Sequence, residues 1–209
     1  DRAYNKLGFS IHDYFFAKAL DQVRPGGVVA FVTSRYTMDK QSPEVRKYIA
    51  QRAELLGAIR LPNNAFKANA GTEVVSDIIF LQKRDRPIEI EPDWIHLGKN
   101  DDGFAINSYF IDHPEMILGE MKMVSGRFGP EATCVPYEGA DLAEQLSEAV
   151  SNIHGELTVY EVEDELAEED NSIPADPTVR NFSYTVLDDK IYFRENSRMA
   201  PVSYTHLTL

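Results

Sequence analysis

Residues that commonly carry chemistry are few and widely spaced in this 209-residue sequence. The five histidines lie at positions 12, 96, 113, 154 and 206, and none pairs with another at a spacing typical of metal ligands. A single cysteine, Cys134, excludes an intramolecular disulfide and a cysteine zinc cage. The sequence also has no Walker-type loop, GxGxxG motif or nucleophile elbow. These patterns predict no metal site and identify no catalytic group.

The first element that the sequence predicts is an amphipathic helix. Ser10 and Asp13 form a capping-box-like start, between Phe9 and Tyr14 at the positions of a hydrophobic staple. Apolar residues then recur every four positions, at Ile11, Phe15, Ala19 and Val23, and Phe16 and Leu20 widen the stripe. This spacing predicts a helix of roughly 13 residues that ends before Pro25-Gly26-Gly27.

Three strands follow, and together with the helices they predict an α/β sheet. Residues 28–33 are apolar on both faces, as in a central parallel strand covered by helices. A second helix begins at Ser42-Pro43. Strands are then predicted at 55–61 and 74–81, and the absence of a helical pattern between them favours an antiparallel pair.

Composition divides the chain after residue 87. Residues 1–87 hold 14 Lys and Arg against 9 Asp and Glu, whereas residues 88–209 hold 7 against 25. The first part could therefore face a polyanion, which would repel the second. Five basic residues, Arg35, Lys40, Arg46, Lys47 and Arg52, could form a duplex-facing patch or an ordinary helix exterior.

The boundaries that follow are 1–87 for a partial catalytic domain, 88–155 for a small α+β extension with a helix near 140–153, and 156–180 for an acidic linker. Residues 181–201 are predicted as a hairpin that precedes a missing downstream domain. The last residues, 202–209, resemble translated sequencing adapter, so we expect an artefact there and a chain that is a fragment. No apolar run approaches the roughly 20 residues that span a bilayer, which predicts a cytoplasmic protein without a membrane partner.

Four stretches of the basic part resemble, in order, the C-terminal part of the catalytic domain of N6-adenine DNA methyltransferases. They are Ile11–Leu20, Arg24–Ser34, Leu61–Phe66 and Thr72–Lys83. The resemblance implies the C-terminal half of a Rossmann-like sheet that ends in an antiparallel hairpin, with S-adenosylmethionine as cofactor and double-stranded DNA as substrate. The chain also resembles the methylase region of very large proteins from bacterial mobile elements. There, residues 184–186 and 190–197 resemble the stretch just before a helicase-like region.

The resemblance also implies roles for particular side chains. Phe15 would border the cofactor adenine, or else pack in the core. Phe66 would stack on the extruded adenine, or else pin its loop to the core. Asn69 and Thr72 would contact the flipped nucleotide, or else belong to a solvated loop. The Asn-Pro-Pro-Phe/Tyr motif and the Gly-rich cofactor loop are absent, so we expect no catalytic residue in this chain and no activity from it alone.

Two other functions remain open at this level. The acidic half of the chain could make it a non-catalytic interaction module that binds a basic partner. A Rossmann-like methyltransferase acting on a small molecule or a protein would also have a strand and helix order of this kind.

Overall fold

The computed structural model describes residues 9–126, 129–159 and 172–202, which fall into two compact units divided between residues 160 and 161. The described residues form short helices and small antiparallel sheets. The α-helices are α1 (Ile11–Gln22), α2 (Tyr36–Asp39), α3 (Glu44–Arg52), α4 (Lys67–Ala70), α5 (Ser108–Asp112) and α6 (Leu142–Ser151). The strands of the first unit are β1 (Val28–Ser34), β2 (Ala53–Leu61), β3 (Ser76–Lys83), β4 (Leu97–Lys99), β5 (Ala105–Asn107), β6 (Glu120–Gly126) and β7 (Gly129–Val135).

The largest sheet of the first unit has the order β1-β3-β2. β3 runs antiparallel to both neighbours, so β1 and β2 are parallel to each other. Ser76 at the start of β3 pairs with Ser34 at the end of β1 and with Leu61 at the end of β2. The prediction of three adjacent strands with an antiparallel last pair is therefore confirmed.

The prediction of β1 as a central, covered strand is wrong for the part of the chain that the structure describes. There β1 pairs with β3 alone, and the side chains of Val28 and Val32 are 48% and 57% exposed. Phe31, which points to the other face, packs against Phe16 of α1 with 4.4 Å between ring centroids. An apolar run makes a strand suitable for burial on both faces, but the neighbouring elements decide whether burial occurs.

The capping box predicted for α1 is present. The Asp13 carboxylate accepts from the Ser10 amide at 3.1 Å, and the Ser10 side chain accepts from the Asp13 amide at 3.5 Å. The predicted apolar stripe is right at Phe16 and Leu20, which are buried together with Asp13 and Ala17, but it is wrong at its other end. Ile11 and Phe15 are instead exposed. The Phe16–Phe31 contact turns the Phe16 face of the helix toward the sheet.

The first unit has one hydrophobic core, to which residues before and after position 87 both contribute. Its members include Phe16, Leu20, Val45, Ile49, Ile59, Leu81, Ile106, Phe110, Met116 and Ala149. The predicted helix near 140–153 is present as α6, and its N-cap Asp141 accepts from the amides of Ala143 and Glu144. Among the described residues, no helix combines the length and the apolar character that crossing a membrane requires.

The second unit is a four-stranded antiparallel sheet of order β8-β11-β10-β9. Its strands are β8 (Ile173–Pro174), β9 (Tyr184–Leu187), β10 (Lys190–Glu195) and β11 (Arg198–Pro201). The predicted hairpin is confirmed as β9–β10, with Asp188 and Asp189 in the turn at φ of 49° and 60°. Residues 160–171 of the predicted acidic linker and all but the first of residues 202–209 lie outside the described residues.

Candidate functional site

The strand ends of the main sheet define the candidate site. We call it the carboxyl edge: residues 35–39 after β1 and residues 62–75 between β2 and β3. The Arg35 amide donates to the Val75 carbonyl at 3.2 Å and joins the two segments. In open α/β sheets, ligands bind in the crevice beyond the carboxyl ends of parallel strands. The end that β1 and β2 share is therefore the place to look for a binding surface.

Phe66 lies at the carboxyl edge. It precedes the single-turn helix α4, and its carbonyl accepts from the Ala70 amide at 2.8 Å. Its half-buried ring packs against the hydrophobic core, so part of it remains at the surface. A ring in this position can stack on a base through its exposed part, and it can also pin the loop to the core through its buried part.

The other loop residues assigned by the resemblance lie near Phe66 in the chain. Asn69 on α4 is exposed and Thr72 is half-buried. Lys67 forms an exposed ion pair with Glu73, with 2.5 Å between Nζ and Oε1. Between them, Gly71 takes a φ of 64°, which allows α4 to end in a left-handed cap.

Phe15, the predicted cofactor contact, lies on α1 with 53% of its side chain exposed. Its ring contacts that of Tyr14 edge to face at 5.5 Å, and among the described residues no ring contact joins it to Phe66. The core-packing alternative for Phe15 is therefore wrong. Whether its exposed ring contacts a cofactor stays a prediction.

A buried ion cluster lies beneath the carboxyl edge. Arg60 on β2 is fully buried, and its guanidinium donates two hydrogen bonds to the Asp77 carboxylate, each at 2.9 Å. Its Nη1 also lies 2.9 Å from Oδ2 of Asp39, an ion pair whose angle does not make a hydrogen bond. The other Asp39 oxygen accepts from the Asn107 amide at 3.0 Å. The cluster therefore joins β2, β3, α2 and β5.

Burial by itself would lower the pKa of Arg60, but Asp77 and Asp39 outweigh it and leave that pKa raised. The guanidinium also lies over the Phe110 ring, 4.3 Å from its centroid. The Arg60–Asp77 pair was not predicted from the sequence, although the sequence held a signal for it. Arg60 interrupts the apolar pattern of β2, and Asp77 interrupts that of β3. A charge in a buried strand requires a partner.

A surface extension of this cluster reaches the hairpin β6–β7. Arg35 lies 3.5 Å from the Asp39 carboxylate and 3.6 Å from that of Glu131 on β7. The exposed Tyr36 donates through its hydroxyl to Glu131 at 3.3 Å. On the other segment, the Asn63 amide donates to the Cys134 carbonyl at 2.8 Å. The hairpin thus borders the carboxyl edge, which no local sequence pattern indicated.

The basic residues considered for a DNA-facing patch are engaged within the chain. Arg46 is buried and donates to the Ile95 and Thr37 carbonyls. Lys40 pairs with Asp13, Lys47 pairs with Glu91, and Arg52 lies over the Tyr48 ring at 3.7 Å. Of the two interpretations, the helix exterior fits better, with Arg46 as an interior exception.

Two further groups bear on chemistry. Cys134 is fully buried, and burial raises the pKa of its thiol to about 12, so it is unsuited to nucleophilic attack. The fold also gathers His113, Glu115 and His154, although 39 residues separate the last two. Sequence spacing held no signal for this group.

Comparisons with known proteins add one partial similarity. No protein-family model and no solved structure matches the chain. Among curated proteins, it is similar to the "Defense against restriction protein B" of Escherichia phage P1, with 35% identity over 71 residues. The similar stretch is 34% of this chain and 3% of the phage protein, so the chain spans only a small part of that relative.

Proposed function

We propose that this chain is part of a DNA adenine-N6 methyltransferase that uses S-adenosylmethionine, within a methylase–helicase fusion. It would supply the last strands of the catalytic sheet and the loop that receives the target base. In the whole enzyme, S-adenosylmethionine supplies an activated methyl group to the amino nitrogen of adenine. The residues of this chain would hold the extruded base in position, which is how proteins contribute most to such transfers.

The sheet carries the proposal. The resemblance implies a Rossmann-like sheet that ends in an antiparallel hairpin, and β2 and β3 form such a hairpin beside β1. Among the described residues β1 pairs with β3 alone, so its other edge is available for a further strand in the whole enzyme. The order β1-β3-β2 also brings the Phe66 loop to the end that β1 and β2 share.

The residues present do not make a cofactor pocket by themselves. Phe15 offers one flat exposed side chain for an adenine ring, and the Gly-rich loop of the family is absent. We therefore expect S-adenosylmethionine to bind the isolated chain weakly or not at all. Isothermal titration measures this directly, and micromolar affinity would contradict the view that most cofactor contacts lie elsewhere.

The phage relative supports a DNA context. Its name states a role in defence against restriction, and methylation of adenines is one chemical route to that end. A non-catalytic interaction module and a methyltransferase acting on another substrate are the competing functions. Both predict that the whole protein transfers no methyl group to DNA.

The test uses the longer protein that contains this chain. Methyl transfer from labelled S-adenosylmethionine should occur to a duplex with adenines and fail on the same duplex made with N6-methyladenine. Phe66→Ala should weaken binding of the flipped base by about 1–3 kcal/mol, or roughly ten- to a hundredfold, while Phe66→Trp should retain much of the activity. Cofactor affinity should not change in either variant.

Phe104→Ala is the matched control, since Phe104 is also half-buried against the core but lies outside the carboxyl edge. Its truncation should lower thermal stability as much as that of Phe66 and leave methyl transfer intact. If Phe66→Ala melts early and loses cofactor binding together with activity, the stacking role is wrong. If no DNA is methylated by the unaltered protein, the proposed function is wrong.

A further inference from the structure

Two imidazoles and a carboxylate meet outside the carboxyl edge. Nδ1 of His113 lies 3.4 Å from Oε1 of Glu115, and Nε2 of His154 lies 3.2 Å from the same oxygen. The three ligand atoms all lie within 4.8 Å of one another. The two imidazole rings stack with 4.7 Å between centroids and 26° between planes. Both nitrogens are thus directed at one carboxylate oxygen.

These separations suit a metal ion. A tetrahedral ion with bonds of about 2.1 Å holds its ligand atoms about 3.4 Å apart, close to the two nitrogen–oxygen distances here. Two imidazole nitrogens and one carboxylate oxygen favour zinc, cobalt or nickel over the all-oxygen sites of magnesium and calcium. We propose that His113, Glu115 and His154 bind one Zn²⁺-class divalent ion, with its fourth position open to water.

The backbone holds two of the ligands in place from one side. The His113 amide donates to the Tyr109 carbonyl at 2.9 Å, and its ring packs on the Tyr109 ring at 4.7 Å. Glu115 lies in a 3₁₀ turn that begins with Pro114. The next residue, Met116, is fully buried in the core, which fixes the position of the turn.

The third ligand is held from the other side. Ile153 packs close to Gly57 of β2, and the Gly155 amide donates to the Leu56 carbonyl at 2.8 Å. A Cβ on Gly155 would lie 2.3 Å from the Leu56 backbone, so only glycine allows this approach. His154 between them is therefore set against the edge of β2. The backbone at all three ligand positions is therefore fixed, while the side chains of Glu115 and His154 are exposed and accessible to an ion.

A bound ion would join the turn after α5 to the segment after α6, so it would stabilise the first unit.

The test titrates the full chain with ZnCl₂ and CoCl₂, with MgCl₂ as the ion that should not bind. We expect one equivalent of Zn²⁺ to bind and, at a hundredfold excess over Kd, the melting temperature to rise by about 5–10 °C. Co²⁺ should show the intense visible absorption of tetrahedral coordination. His154→Gln and Glu115→Gln should each weaken Zn²⁺ binding by more than about tenfold.

His12→Gln is the matched control, because His12 is an exposed histidine on α1 outside the group. It should bind Zn²⁺ as the unaltered chain does. The melting temperature of each variant without metal checks that its fold is intact. If His154→Gln proves unstable, His113→Gln removes a different ligand, which lies on another segment of the chain. Unaltered Zn²⁺ affinity in these variants, or no Zn²⁺ binding by the unaltered chain, would mean that the group is only a hydrogen-bonded His–Glu–His cluster.

Discussion

Arg60 places a full positive charge in the interior of the first unit, between Asp77 and Asp39. A buried ion pair contributes little net stability compared with apolar residues, because desolvation offsets the attraction. Removing one partner is different, since the remaining charge is then buried alone. Arg60 therefore contributes less to the free energy of unfolding than to the arrangement of β2, β3 and α2 beneath the carboxyl edge.

Arg60→Met should lower the free energy of unfolding by about 3–5 kcal/mol, because it leaves the Asp77 carboxylate buried without its hydrogen-bonded partner. Urea unfolding measures the loss. Arg60→Met combined with Asp77→Leu should recover part of it, since fewer unpaired charges remain. Lys67→Ala, which removes an exposed ion pair with Glu73, should cost less than about 1 kcal/mol. A loss that small for Arg60→Met would contradict the role assigned to the cluster.

At the scale of elements, the hairpin β9–β10 depends on a two-residue turn with positive φ at both central positions. Type I′ turns of this kind match the twist of the flanking strands and favour Asn-Gly. Asp188 and Asp189 tolerate the left-handed region better than most residues but less well than glycine. The turn is therefore adequate for the hairpin without being optimal.

Replacing Asp188-Asp189 with Asn-Gly should stabilise the hairpin by up to about 1 kcal/mol, because the backbone strain of the turn is relieved. Amide exchange of Tyr192 on β10 should slow by up to about fivefold as local opening becomes rarer. Asp189→Ala keeps the positive φ without the tolerance of aspartate, and exchange should become faster. Exchange that does not respond to either change would show that the turn does not limit opening of the hairpin.

At the scale of the whole molecule, β1 has an exposed apolar face and, among the described residues, one unpaired edge. An exposed apolar edge strand is a template for pairing with another strand. Under the proposed function, the strand that pairs there belongs to the remainder of the methyltransferase domain.

Val32→Lys should leave the melting temperature of the isolated chain within about 2 °C, since Val32 is more than half exposed there. In the longer protein an element that covers this face of β1 would bury the same lysine, and methyl transfer and stability should fall together. Val150→Lys is the control, because Val150 on α6 is similarly exposed and lies outside the sheet. Full activity of the Val32→Lys protein would contradict a covered face at β1.

Much of the local structure could be predicted from the sequence, because its causes lie within a few residues. The Ser10–Asp13 capping box, the antiparallel β2–β3 pair, α6 and the β9–β10 hairpin all follow from caps, apolar periodicity and turn residues. The candidate Phe66 could be identified as a loop aromatic for the same reason. What surrounds its ring could not, since core contacts come from distant parts of the chain.

The sequence by itself determined α1, α3, the strands β1 to β3, α6, the β9–β10 hairpin and the position of the Phe66 loop after β2. Only the tertiary structure decided which face of α1 is buried. It also decided that Arg60 pairs with Asp77 and Asp39, and that the side chains of His113 and His154 lie beside that of Glu115. The physical reason is range: capping and periodicity act over one or two turns of chain, whereas the burial of a charge and the meeting of ligands depend on residues brought together by packing.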